Sequence, residues 1–135
     1  MIEFNSVTAF SLNGEDQVRS WLETVIDTED KIVGDIQYIF CDDEYLHKLN
    51  VDFLNHDTLT DVISFDYSEG SIISGDIYIS IERVRENAVD FKTGFKDELR
   101  RVMVHGILHY CGYKDKSAED VILMREKEDY YLSHN

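Results

Sequence analysis

Proline is absent from the 135 residues, and basic side chains are nearly absent from residues 1–81, which carry 17 acidic groups against 3 basic ones. The two cysteines, Cys41 and Cys111, are too few for a disulfide framework and form no CxxC pair, so both read as buried, reduced thiols. The longest run without a charge, residues 102–113, is well short of the roughly 20 residues a membrane helix needs. The start, MIEFNSVTAF, lacks the basic residues and long apolar run of a secretory signal, so a cytoplasmic protein is expected. The formal charge of −15 argues against a protein that coats nucleic acid nonspecifically, because backbone phosphates would be repelled.

What is present suffices for a core. Apolar residues make up 43% of the chain and aromatic ones 12%, which fits one folded domain spanning residues 1–135 and not an acidic disordered tail. The charge is unevenly placed: residues 82–135 hold 11 acidic and 10 basic side chains, and residues 83–116 hold eight basic against five acidic. An anionic substrate is better tolerated there than near the start of the chain.

Without proline, the glycines punctuate the pattern. Strands are expected at residues 2–10, 34–41, 62–67 and 77–81, with SEGSIISG as a hairpin or a loop between the last two. Helices are expected at 15–28, 42–53, 81–91, 96–111 and 118–132, the first capped by Asn13 or Gly14 and the last by a capping-box-like pair, Ser117 and Asp120. The fold class is α+β, a small mixed four-stranded sheet packed with about five helices. Met124 reads as core, and His47 and His134 as exposed.

The chemistry concentrates in RRVMVHGILHYCGYKDKS. His105 and His109 are four residues apart, so both imidazoles lie on one face of a helix, one turn apart, at the spacing one metal ion needs. The helix around them is apolar on every side and should be buried, where unpartnered imidazoles carry a desolvation cost that a metal removes. A catalytic zinc site takes three protein ligands and leaves a position open. Gly112 lets the chain turn back, and Asp115 is the nearest donor that can reach the same ion. Gly106 stands inside this helix at a cost of about 1 kcal/mol relative to alanine, which close packing can offset. HExxH metalloproteases carry their general-base glutamate at this position, so peptide hydrolysis by that mechanism is disfavoured.

These residues match a family. HGILHYCGYKDK resembles the HGxLHLxGYDH signature of the YbeY family of bacterial rRNA maturation factors, at His105, Gly106, Leu108, His109, Gly112 and Tyr113. LNVDFLNHDTLTDVISF resembles the family's LNxxYRxKDxxTDVLSF at Leu49, Asn50, Asp57, Thr60, Asp61, Val62, Ser64 and Phe65, and SGDIYIS resembles its GDIxIS strand. The resemblance implies a metal-dependent endoribonuclease, with one zinc or similar divalent ion per chain, rRNA precursors as substrate, the ribosome or its proteins as partners, and no DNA or membrane. It also exposes departures. The family's third histidine aligns with Asp115, and its tyrosine and arginine with Phe53 and Leu54, which removes a guanidinium suited to clamping phosphate. His56 stands at the family's lysine.

The expected site is therefore His105, His109 and Asp115 as ligands of a metal that activates water. His56, Asp61, Ser64, Arg100, Arg101 and Lys114 are candidate phosphate or cleft contacts, with at least one of Arg100 and Arg101 facing the cleft. Two further readings remain open: a ribosome-assembly binding factor whose metal is structural, and a metal-dependent hydrolase of another substrate such as a peptide.

Overall fold

The computed structural model describes residues 1–54 and 61–134. The order is β1 (Ile2–Ser6), α1 (Glu15–Thr28), β2 (Ile32–Cys41), α2 (Asp43–Leu54), β3 (Val62–Asp66), β4 (Ile72–Ser80), α3 (Ile81–Asp90), α4 (Phe95–Tyr110) and α5 (Ala118–Leu132). The strands form one mixed sheet in the order β1-β2-β4-β3, with β1 and β4 parallel to β2 and β3 antiparallel to β4. The described residues form the expected α+β class, with four strands and five helices.

Two strand boundaries move by four residues or more from expectation, and the others by two or fewer. β1 stops at Ser6, where the ladder ends opposite Phe40, and Phe10 then turns inward to pack its ring 5.0 Å from Phe40 and 6.0 Å from Phe95. β4 begins at Ile72, five residues before the expected start, because Ile72 and Ile73 pair with Ile32 and Val33 of β2. The loop shrinks to a turn at Gly70, whose positive φ of 59° favours glycine.

Alternation along the strands sends Tyr38, Phe40, Ile77 and Ile79 into the main core, shared with α1, α3, α4 and α5. Ile63 joins Cys41 and Leu46 in a second cluster against α2, with Phe65 and Tyr78 at its margin. α1 buries Val18, Trp21, Leu22, Val25 and Ile26, the stripe its periodicity predicts, and α5 starts with the expected capping box of Ser117 and Asp120. Met124 is buried, while His47 is half-buried and His134 exposed.

α4 is the element that carries the site. A Cβ on Gly106 would lie 2.9 Å from Ile77 Cδ1, so the glycine lets α4 settle directly onto β4. Tyr38 fixes the middle of the helix by donating from its hydroxyl to the Met103 carbonyl at 2.7 Å. At the far end the Tyr110 ring covers Gly75, with its hydroxyl 3.0 Å from the Phe65 carbonyl and 3.1 Å from that of Asp76. No helix among the described residues is long and apolar enough to cross a membrane.

Candidate metal centre

α4 is not buried on every side. From residue 101 to its end, all positions are buried except Arg101, His105 and His109. Their spacing of four residues sets each about 40° around the helix from the next, so they form one open stripe. The two imidazole side chains are 23% and 30% exposed, and the helix presents them at a surface instead of enclosing them. The desolvation expected from the apolar sequence is therefore only partial.

α4 ends in a Schellman turn: the Gly112 amide donates to the His109 carbonyl at 3.0 Å and the Tyr113 amide to that of Leu108 at 3.1 Å. Gly112 takes a φ of 107°, which reverses the chain and brings Asp115 back over the histidines. Glu29 tethers this loop by accepting from the Tyr113 hydroxyl at 2.7 Å. The Tyr131 hydroxyl donates to the same carboxylate, which ties α1, the loop and α5 together.

The proton positions follow from the partners. His105 Nδ1 lies 2.7 Å from the Glu128 carboxylate, and His109 Nδ1 lies 3.0 Å from the Tyr113 carbonyl. Both partners accept, so both Nδ1 atoms must donate, which leaves each Nε2 with a lone pair. These two Nε2 atoms are 3.0 Å apart, and Asp115 Oδ2 lies 3.2 Å from one and 3.5 Å from the other. With both rings neutral, three acceptors thus converge without a donor, an arrangement that a bound metal ion relieves, as does a proton on one Nε2. Bonds of 2.0–2.1 Å in a tetrahedral zinc site place ligand atoms roughly 3.3 Å apart, which the observed triangle matches. These are also the described His, Cys, Asp and Glu side chains grouped closely enough to hold a metal ion.

Glu128 is the residue that sequence reasoning missed. It lies on α5, nearly buried, and binds His105 with one oxygen and Arg101 Nη1 with the other at 2.8 Å. Arg101 reaches on to Asp129 at 2.7 Å. Burial alone would lower the His105 pKa, but the hydrogen bond and charge of Glu128, with Asp115 and Asp61, hold it above its ordinary value. Burial would likewise raise Glu128, yet His105 and Arg101 hold it below the usual carboxylate range. Burial pushes the Cys41 thiol up to about 12 and the Cys111 thiol to about 11, so neither is a nucleophile at neutral pH.

Beside the triangle lies a cleft of about 280 Å³ lined by Asp61, Glu98, Arg101, His105, Arg125 and Glu128, among others. Asp61 accepts from Asn87 Nδ2 at 3.1 Å, and burial raises its pKa. Of the expected contacts, Asp61 and Arg101 line this cleft. Ser64 does not: it is exposed on the edge strand β3, beside the Tyr110 hydroxyl. Arg100 lies about 140° around α4 from His105 and faces away, over Trp21. Lys114 is exposed in the loop before Asp115, and His56 falls outside the described residues. Arg125, which the sequence did not single out, supplies a cation that Arg100 does not.

Comparison with known proteins identifies the family. The family model described as Endoribonuclease YbeY matches residues 3–135. The chain belongs to the YbeY family. Curated relatives named Endoribonuclease YbeY include one from Flavobacterium johnsoniae, 64% identical over 96% of this chain and 93% of its own length. Another, from Flavobacterium psychrophilum, is 63% identical over 98% of this chain and 94% of its own. A solution structure of a Thermotoga maritima protein superposes with a TM-score of 0.70 at 29% identity, covering 98% of this chain and 87% of that one. Within the YbeY family, the resemblance places a histidine where this chain has Asp115. A carboxylate oxygen forms zinc bonds of about the same length as imidazole, and Asp115 Oδ2 occupies the third corner of the triangle.

Proposed function

We propose that the chain is a metal-dependent endoribonuclease acting on precursor rRNA in ribosome biogenesis, in the cytoplasm, with His105, His109 and Asp115 holding one zinc or similar divalent ion. The observation that carries this reading is the convergence of two Nε2 lone pairs and a carboxylate oxygen within 3.0–3.5 Å. The names of the relatives supply the reaction class.

When bound, the ion supplies Lewis acidity towards a water and towards a phosphoryl oxygen. The protein's side chains supply orientation and charge. Glu128 and the Tyr113 carbonyl fix both imidazoles with Nε2 towards the site. Arg101 neutralises Glu128 and is itself engaged, which leaves Arg125, 58% exposed at the cleft, freer to meet a phosphate. Asp61 faces His105 across the cleft and is placed to take a proton from an attacking hydroxyl. Four carboxylates (Asp61, Glu98, Asp115, Glu128) face two guanidiniums here, so a dication is needed to bring the site to neutrality before an anionic strand approaches.

The second reading, an assembly factor that binds RNA or the ribosome without cutting, is favoured by Leu54 at the family's arginine and by the charge of −15. Purified protein incubated with structured and single-stranded RNA, and with casein, separates the readings. RNA cutting that stops with chelator and with His109→Ala supports the nuclease. RNA binding without cutting supports the assembly factor, and casein cleavage contradicts both.

A further inference from the structure

Arg100 is only 8% exposed, yet none of the described residues accepts a hydrogen bond from it or pairs with its charge. Its guanidinium lies 5.8 Å from the Trp21 ring centroid, a cation–π contact that leaves its five N–H donors unmatched. Arg19, Arg83 and Arg101 all have carboxylate partners. None of the described side-chain nitrogens is both buried and without a partner, so the Arg100 donors reach solvent at the cavity that the side chain lines, where an anion can meet them.

Arg100 lines a cavity of about 340 Å³ between the chain entering α1 and the start of α4. α1 begins here at Gly14 with a φ of 69° and no side-chain cap, and α4 begins at the cavity's edge after Gly94, also uncapped. Helices of 14 and 16 residues therefore bring unmatched first-turn amides and the positive ends of their dipoles to one place. Lys96 adds a second cation. The first turns also carry Glu15, Asp16, Asp97 and Glu98, but none of the four lines the cavity: Asp16 is held by Arg19 at 2.8 Å, and Glu98 lines the cleft beside His105. The remaining walls mix polar side chains (Ser11, Asn13, Gln17) with apolar ones, among them two half-buried rings, Phe10 and Phe95.

From this we infer that the α1–α4 cavity is a binding site for a nucleoside monophosphate, its phosphate on Arg100, Lys96 and the helix amides and its base against Phe10 and Phe95. A cavity of this size is at the lower end of ligand pockets and fits one nucleotide. The site lies on the far side of α4 from His105 and rests on none of the metal chemistry. The same chemistry comes from a free nucleotide or from the phosphorylated end of an RNA strand.

The test is an amide NMR titration of the whole chain with uridine monophosphate, uridine, inorganic phosphate, and a short oligoribonucleotide with and without a 5′-phosphate. Uridine monophosphate is expected to shift residues 14–18 and 95–100, with uridine and phosphate binding at least about tenfold more weakly. Binding of the phosphorylated strand and not its 5′-hydroxyl form identifies a strand end as the source; binding of the mononucleotide alone identifies a free nucleotide. Arg100→Gln should remove the shifts, and Lys96→Gln, at an exposed position that does not endanger folding, should weaken binding about tenfold. Absence of shifts in these two segments, or shifts that persist unchanged in Lys96→Gln, overturns the inference. Equal affinity for inorganic phosphate and uridine monophosphate overturns the nucleoside part.

Discussion

Replacing Glu128 with glutamine tests how the site is oriented. Glu128 is 5% exposed and accepts from His105 Nδ1 at 2.7 Å and Arg101 Nη1 at 2.8 Å. Charge-assisted bonds of this kind contribute about 1.5–3 kcal/mol each, and glutamine can accept only through its one oxygen. Its amide then either faces the guanidinium or turns to His105 Nδ1 and forces that ring into the opposite tautomer, with a proton on the Nε2 that should face the ion. The expected result is a loss of about 2 kcal/mol in stability and a 10- to 100-fold loss in zinc affinity, the range for removing a ligand's supporting partner. A chelator-competition titration reads the affinity, and urea unfolding of the metal-free protein reads the stability. The pH dependence adds a second readout. Because the His105 pKa is raised, its stabilising contribution is fully present below about 6.5 and is lost as pH rises through the raised value. Because Glu128 is lowered, its contribution is present above about 4.5 and is lost as pH falls through the lowered value. Metal-free wild type should therefore be most stable between those limits, and Glu128→Gln should flatten the profile. Unchanged zinc affinity in a folded Glu128→Gln variant would refute the reasoning.

Three further outcomes are expected. Gly75→Ala would set a Cβ 2.3 Å from the Phe65 carbonyl oxygen and 2.4 Å from the Tyr110 hydroxyl, so unfolding should show a loss of about 3 kcal/mol or more; a loss under 1 kcal/mol would show that α4 can lift without cost. Ser117→Ala removes the side chain that caps the Asp120 amide at 3.0 Å and should cost about 1 kcal/mol by the same assay, with no loss contradicting the capping box. Wild-type zinc affinity should fall with acidification below neutrality as His105 takes up a proton that competes with the ion, and an affinity flat from pH 8 to 5 would contradict that assignment.

Local signals fixed α1 and α5 to the residue, because a left-handed glycine and a capping box act within a single turn. The start of β4 was not legible locally. Ile72 and Ile73 are strand residues only because β2, some 40 positions earlier, offers them a parallel ladder. The ligand triangle could be read from spacing, since a helix turn places His105 above His109 and one glycine returns Asp115 to them. Glu128 could not be read from the same segment, but α5 did carry its signal. Met124, Glu128 and Tyr131 share one buried stripe, and a carboxylate on a core face must have a partner. Proximity to the histidines leaves open which of Arg100 and Arg101 faces the cleft; helical rotation puts Arg101 in it and Arg100 on the opposite side.

That His105, His109 and Asp115 together hold one metal ion is the proposal most open to direct test. Elemental analysis of the purified wild type and of Asp115→Ala tests it directly. About one equivalent of zinc or a similar divalent ion per chain is predicted for the wild type, falling strongly in the variant because a three-ligand site has lost one corner. Equal metal content in the two proteins would remove Asp115 from the site, and a wild type without metal would contradict the account.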